Sequence, residues 1–386
     1  MNDSLRALRD FFVSLKLTVV LLVFGMLLIF AATLDQVNLG IWAVQEKYFR
    51  SFIVYGRFGE FAVPMFPGGY LIGGLLLMNL IAAHLYRFSL SWRKLGIQLA
   101  HLGLIILLLG ELFTGILQED FQMRIGRGET VNYAESFRDN ELVLIDVTDP
   151  GFDEVVAIPA GLLEKGRPIQ HPRLPFRVEP RIYYPNSILQ MRPENGPVSP
   201  ATAGLGPQLM AAPQPITYRD DERNLPTAFV ELVGSEGPLG TYLVSTSLIR
   251  AQPFEHAGRQ WRIALRVRRL YQPFSLTLNE LRHDVYPGTE IPKNFSSRVQ
   301  LKAPDGSEDR EVLIYMNNPL RFAGQTFYQY QMNRNDGYSV LQVVRNPSWL
   351  MPYIACTLMT LGLLLQFGIH LVGFVTRRRV SPDIPA

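Results

Sequence analysis

Four stretches of the chain are long and apolar enough to cross a bilayer as helices, a task that takes about 20 residues. They restrict the possible folds more than any other feature. Residues 17–34 carry no charge, and 68–86 end an uncharged run that begins at Phe61. Residues 95–110 are likewise uncharged, and this stretch continues past Glu111 to 117. The last, 348–376, is 29 residues without a formal charge. After the first stretch stands Leu34-Asp35-Gln36, not a small-x-small cleavage site, so it is expected to be retained as a helix and not removed as a signal peptide.

Lys and Arg in short flanks orient such helices toward the cytoplasm. Arg6, Arg9 and Lys16 precede the first stretch. Arg87, Arg93 and Lys94 fill the link between the second and third, and Arg377, Arg378 and Arg379 follow the fourth. Four crossings put all three clusters on one side. The expected organisation is a cytoplasmic segment 1–16, helices at 17–34, 68–86, 95–117 and 348–376, a cytoplasmic link 87–94 and a cytoplasmic tail 377–386. Residues 35–67 and 118–346 then lie outside an inner (plasma) membrane. Trp92 and Trp349 fall at helix ends, where interfacial aromatics belong.

Overall composition conceals this organisation. Of 386 residues, 37 are basic and 34 acidic, a net charge of +3, so no nucleic-acid footprint is expected. The single Cys excludes a disulfide framework, a CxxC dithiol and a four-Cys zinc site. Cys356 lies within the fourth apolar stretch and reads as a packed thiol.

Residues 118–346 read as strands: 141–147, 228–233, 242–246, 261–270, 297–301, 311–316, 326–331 and 340–344 are short, rich in β-branched and aromatic residues, and bounded by turn signals. Pro304-Asp305-Gly306-Ser307 is a hairpin turn. The fold class expected is therefore four transmembrane α-helices plus a large extracytoplasmic all-β domain, a sandwich or rolled sheet. Residues 193–215, rich in Pro, Gly and Ala, are expected to form a flexible loop.

Chemistry is sought first among the ionisable residues of the apolar stretches, because they are expensive there. His101 follows Lys94 by seven residues and His370 precedes Arg377 by seven, so each lies ~10 Å inside the cytoplasmic charge boundary. His84 lies only ~4.5 Å inside it. A neutral imidazole offers nitrogen to the iron of a b-type haem, and two at matched depth could ligate one haem from both faces. His101 and His370 fit that spacing. His370 reads equally well as a histidine bonded to a backbone carbonyl near a helix end. His84 reads more readily as a snorkelling interfacial residue than as a ligand. Gly96, Ala100, Gly103 and Gly110 form a stripe that admits either a flat macrocycle or, more simply, a neighbouring helix. Glu111 marks the external membrane edge. His171, His256 and His283 show no metal-ligand spacing and read as surface or turn residues. No phosphate-binding or hydrolase signature and no CxxCH is present.

Several motifs stand along the chain in this order: Ser14-Leu15-Lys16-Leu17-Thr18-Val19, Gln98-Leu99-Ala100-His101-Leu102-Gly103, Tyr286-Pro287-Gly288-Thr289 with Pro292-Lys293-Asn294-Phe295-Ser296-Ser297, and Asn317-Asn318-Pro319-Leu320-Arg321-Phe322 with Gly324-Gln325-Thr326-Phe327-Tyr328-Gln329, followed by Val344-Arg345-Asn346-Pro347. In order and spacing they resemble the ResB/CcsB family of System II cytochrome c biogenesis. The resemblance implies one half of a membrane haem-delivery and cytochrome c synthetase complex, which moves haem b outward and attaches it to CxxCH apocytochromes. It implies a CcsA/ResC-type membrane partner, apocytochrome c as client, and a thioredoxin-like thiol reductant nearby. It also implies that His101 is a transmembrane haem ligand, paired in the family pattern with a histidine of the partner. With only Trp42, Trp92, Trp261 and Trp349, the chain looks like the ResB half and not a fused synthetase. No redox thiol or acid–base pair is evident, so the catalytic groups are expected mainly in the partner. Two other readings stay open: a purely structural scaffold for that partner, and a b-type cytochrome passing electrons. The last would call for histidine pairs at two depths, whereas the three candidates cluster on one side.

Overall fold

Ser14 has an extended backbone (φ −73°, ψ 126°) and its hydroxyl accepts the N–H of Lys16, the arrangement that starts a helix. It separates α1 (Asp3–Phe12) from α2 (Leu15–Val44). The computed structural model describes residues 3–58, 61–86, 88, 91–193, 196–217, 223–289, 292–333 and 336–380, without the side chains of 57, 58, 292 and 377–380. The expected basic residue 87, the side chains of 377–379 and the end of the tail thus lie outside the described residues. The chain divides into two units, one of residues up to 119 and from 346 onward, the other of most of 120–345.

In the first unit α2 outruns the expected helix by ten residues. The carboxylate of Asp35 accepts from Lys47 Nζ (2.6 Å) and from the Tyr48 hydroxyl (2.8 Å), so the first charge after the apolar run is paired and does not end the helix. Gly40, at φ +76°, breaks the helical geometry before a π-helical turn at Gln45–Phe49. The expected outer loop 35–67 is therefore helix followed by a hairpin, β1 (Ile53–Phe58) with β2 (Phe61–Pro67), whose Val54 packs against Leu28 and Ile72. Then come α3 (Gly69–Tyr86) and α4 (Leu95–Leu117), each within a residue of its expected span.

The second unit is β-rich. Its elements are β3 (Glu119–Gly126), β4 (Thr130–Asp146), β5 (Glu154–Pro159), the short α5 (Ala160–Glu164), β6 (Arg177–Tyr184), β7 (Ser187–Met191), β8 (Leu209–Pro213) and β9 (Thr227–Gly234). There follow β10 (Gly237–Ser245), β11 (Gln252–His256), β12 (Arg259–Val285), β13 (Pro292–Lys302), β14 (Asp309–Tyr315), β15 (Leu320–Phe322), β16 (Gln325–Asn333) and β17 (Tyr338–Arg345). All eight expected strands fall on these. The largest sheet runs β14-β13-β12-β4-β3-β17-β16-β15, with β11 on β12 and β5 on β4; β10-β9-β6 form a second sheet.

The long strands β4 and β12 serve two separate cores. Leu142, Leu144, Trp261, Ile263 and Leu265 pack with β5, β6, β9, β10 and β11. Val131, Ala134, Leu276 and Leu278 pack with β3, β13, β14, β16 and β17. Register shifts at Val267/Arg269 and Tyr271/Leu276 lie between the two sets, and such irregularities bend a strand pair. At the second core the sheet rolls over itself: Ser297 of β13 bonds Ser339 of β17 (2.7 Å) and Gln329 of β16 (2.6 Å), strands far from it in the sheet order. The Pro304–Ser307 turn joins β13 to β14 as expected, with Gly306 at φ +73°.

Residues 193–215 depart from the loop reading. Residues 209–213 are strand β8, paired with β7, and Ala201 is buried with Phe229 and Leu243. The strand is fixed by pairing and burial, which its Ala- and Pro-rich composition does not announce.

The last helix, α6 (Met351–Val380), belongs to the first unit. Asn346 leads into it, donating to Thr114 Oγ1 (3.2 Å) near the end of α4 and accepting the N–H of Ser348 (2.8 Å). Four helical segments, Leu15–Phe49, Gly69–Tyr86, Leu95–Leu117 and Met351–Thr376, are long and apolar enough to cross a membrane.

Candidate functional site among the apolar helices

The glycine stripe of α4 turns toward α6. A Cβ on Gly96 would sit 2.6 Å from the carbonyl oxygen of Gly362, one on Gly103 2.8 Å from that of Ala355, and one on Gly110 3.0 Å from Met351. The stripe is a helix-packing surface, as small residues allow. These contacts also set an antiparallel register. Gly103 lies beside Met359 and Gly96 beside Gln366. His101 therefore lies five residues to one side of Gly96, and His370 a full turn beyond Gln366 on the other. The two histidines are roughly 15 Å apart along the helices at 1.5 Å per residue. Charge-boundary counting treated the two helices separately and could not see this offset.

His101 instead faces a cavity of about 610 Å³ lined by residues of α2, α3, α4 and the α1–α2 junction. His84 of α3 lines the same cavity, and the two imidazole ring centres are 6.4 Å apart with planes at 84°. The rest of the wall is mostly aliphatic, including Leu22, Leu80, Leu104 and Leu108; Lys94 is its charged member. Its size is in the range of small-molecule sites.

Nδ1 of His84 and Oε1 of Gln98 are buried without a hydrogen-bond partner. Such atoms are costly in apolar surroundings and suit a ligand that supplies what the protein does not. Asn79, by contrast, is fully used: its amide donates to Phe12 O (2.6 Å) and Ser14 O (3.2 Å), and it accepts from Thr18 Oγ1 (2.6 Å). It ties the start of α2 to α3 and so shapes the cavity floor. The signal that could have found Asn79 and Gln98 is the same one that marked the histidines: a polar side chain inside an apolar run.

The remaining candidates are placed as follows. His370 is exposed, outside the cavity lining, and its Nε2 bonds the Gln366 amide (2.8 Å). That is the hydrogen-bonded reading, with a side chain one turn away in place of a backbone carbonyl. Glu111 is exposed near the end of α4. Cys356 is exposed on α6 and is not a packed thiol, since the face of α6 that meets α4 is the one bearing Ala355 and Gly362. In the β-rich unit His171 is exposed, but His256 and His283 are strand residues with aromatic contacts, against Phe176 and Phe295 (ring centres 5.7 and 4.5 Å). No group of three or more metal-ligating side chains occurs among the described residues.

Four membrane-length helices, three of which line a histidine-bearing cavity, together with a large rolled-sheet domain inserted in sequence between the third and fourth, define a membrane-type helical protein carrying an appended β-domain. Residues 245–337, from the end of β10 to the β16–β17 turn, match the ResB-like family. They contain the Tyr286–Ser297 and Asn317–Gln329 motifs; the helix motif around His101 lies outside them. Protein NrfI of Wolinella succinogenes is 33% identical over 92 residues, which are 24% of this chain and 10% of NrfI. The similarity thus spans about a tenth of that relative's length.

Proposed function

We propose that this chain is a membrane subunit of cytochrome c biogenesis that receives haem b in the His84–His101 cavity. With a CcsA/ResC-type partner it passes that haem to a CxxCH apocytochrome docked on the β-domain. The observation that carries the reading is the ResB-like segment at 245–337 in a chain that also holds four membrane-length helices. The basic flanks support a cytoplasmic side for both termini and the cavity end of α4, which would make the cavity an entry site and the β-domain outward-facing, where apocytochrome is found.

Bound haem supplies the iron and the vinyl groups that become thioethers. The chain's own part is to hold and align. His101, which lines the cavity, would ligate the iron, the aliphatic wall would exclude water, and Lys94, the charged lining residue, would pair with the carboxylates of the haem. The extended client peptide adds as a strand to a sheet edge of the β-domain. The test is to express the chain with its partner and a reporter apocytochrome. His101→Ala is expected to remove the b-type absorption from the purified complex and to abolish covalent haem on the reporter, with the complex still assembled. Full haem content and full maturation in that variant would refute the proposal.

A further inference from the structure

The hairpin between α2 and α3 carries an exposed apolar face. Val54 and Phe66, paired across β1 and β2, turn toward α2 and α3. At the alternate positions Ile53, Tyr55, Phe61, Val63 and Met65 are exposed, Phe61 at 76% and Met65 at 61%. We infer that this face lies in the membrane interface, with its side chains on lipid acyl chains and its strand edges at headgroup level. The inference rests on the reading that the apolar helices span a bilayer and is independent of the haem reading.

Three observations carry it. The first is depth. Asn79 of α3 donates to Ser14 O and accepts from Thr18 Oγ1, so it is level with the start of α2, and the two helices run antiparallel. Gly69, where α3 begins, is ~15 Å from Asn79 along the helix axis, and the same rise along α2 ends near its middle. There the Phe24 and Phe66 rings meet (centres 5.5 Å apart) and Val54 packs with Leu28. The uncharged run of α2 continues past that level to Leu34. The second is exposure at the same depth. Ile29, Phe30 and Leu34 of α2 are exposed there, and in a spanning helix such side chains are covered by lipid. Lipid therefore reaches the hairpin as well. α3 alone, at ~27 Å, falls short of a ~30 Å hydrocarbon core, and the charge-free run that contains it begins at Phe61 in β2. The third is anchoring. The Gly68 N–H donates to Phe52 O (2.9 Å) and the Tyr70 N–H to Ser51 O (3.2 Å). A Cβ on Gly68 would overlap the carbonyl oxygen of Ser51, and one on Gly69 that of Phe49. The hairpin is thus held directly on the start of α3. Open strand edges find no partners in hydrocarbon, which sets the hairpin at the interface, where headgroups and water reach its backbone.

The experiment uses the full chain with Cys356→Ser, reconstituted in nanodiscs of phosphatidylcholine and phosphatidylglycerol, alone and with its partner subunit. Val63→Cys and Met65→Cys each carry a nitroxide label. Electron paramagnetic resonance saturation reads its collisions with oxygen, which concentrates in lipid, and with a water-soluble nickel chelate. Met26→Cys on α2 is the lipid reference and Ile249→Cys in the β-domain the water reference; both native side chains are exposed. Labels at positions 63 and 65 are expected to favour oxygen over the chelate, as at 26, in both preparations, and the label at 249 to show the reverse order. If 63 and 65 favour the chelate while 26 favours oxygen, the hairpin stands in water; the inference is then wrong and the membrane reading stands. If 63 and 65 are shielded from both probes, with or without the partner, the face packs on protein and the inference is again overturned. If 26 also favours the chelate, the helix does not span and both readings fall.

Discussion

Gly96 and Gly362 face each other across α4 and α6 so closely that a Cβ on either would lie 2.6 Å from the other's carbonyl oxygen. This contact fixes the rotation of α4. His101, five residues on, is about 140° around the helix from Gly96, which turns it away from α6 and into the cavity it shares with His84.

Gly96→Leu or Gly362→Leu is therefore expected to push α4 from α6, destabilising the helical unit by about 1–3 kcal/mol or more. The control is Gly115→Ala, also in α4 but with nothing within 4 Å of the added carbon, which is expected to be neutral or slightly stabilising. Thermal unfolding of the detergent-solubilised chain checks the pair; equal effects at Gly96 and Gly115 would contradict it.

Asn79→Leu removes three hydrogen bonds at the junction of α1, α2 and α3. A polar contact of this kind within membrane helices contributes about 0.6–1.7 kcal/mol. The expected outcome is faster proteolysis at the α1–α2 junction in detergent, with the β-domain unaffected. Retention of wild-type protection would show that the junction is held by other contacts.

In the β-domain Glu141 is buried and accepts from the Arg266 guanidinium at 2.9 Å. Breaking such a pair from one side costs about 3–5 kcal/mol, and removing both partners costs much less. Glu141→Leu is expected to lower the urea midpoint strongly, and Glu141→Leu with Arg266→Leu to recover much of the loss. Fluorescence of Trp261, buried in the core formed by the adjoining residues Leu142 and Leu265, is the readout.

Asp146 accepts from the hydroxyl and N–H of Thr148 and from Arg259, and these bonds hold its carboxyl below the usual carboxylate range. A depressed value means that its stabilising contribution is complete above the unfolded value, about pH 4, and is lost as pH falls through the folded one. Asp146→Asn is expected to flatten the acid limb of the domain's stability curve below about pH 4. An unchanged acid limb would mean that other carboxylates set it.

The helices were legible in the sequence to within a residue or two at α3 and α4 because the signal is local: 18 to 23 residues with at most one charge suffice. The same rule stopped α2 too early, since Asp35 looks like a membrane edge until Lys47 and Tyr48 are seen to neutralise it. Among strands, β9 and β17, rich in β-branched residues, were legible, but β5 (Glu154–Pro159), with two Val and an Ile, was not among those expected. β6, with Arg177 and Pro180, and β8, with two Ala and a Pro, were not either; partners in space make them strands, and propensity does not.

The candidate site divides in the same way. Hydropathy and charge by themselves determined that the chain has four membrane-length helices, that polar residues inside them are worth attention, and that His101 is among these. Each follows from the composition of a continuous window. Which histidine meets His101 was decided only by the tertiary structure. Register between helices is set by close contacts such as Gly96–Gly362, and that register carries His370 away from His101 and leaves His84 beside it. No count along a single helix contains that information, because a slide of one helix past another leaves every window of sequence unchanged.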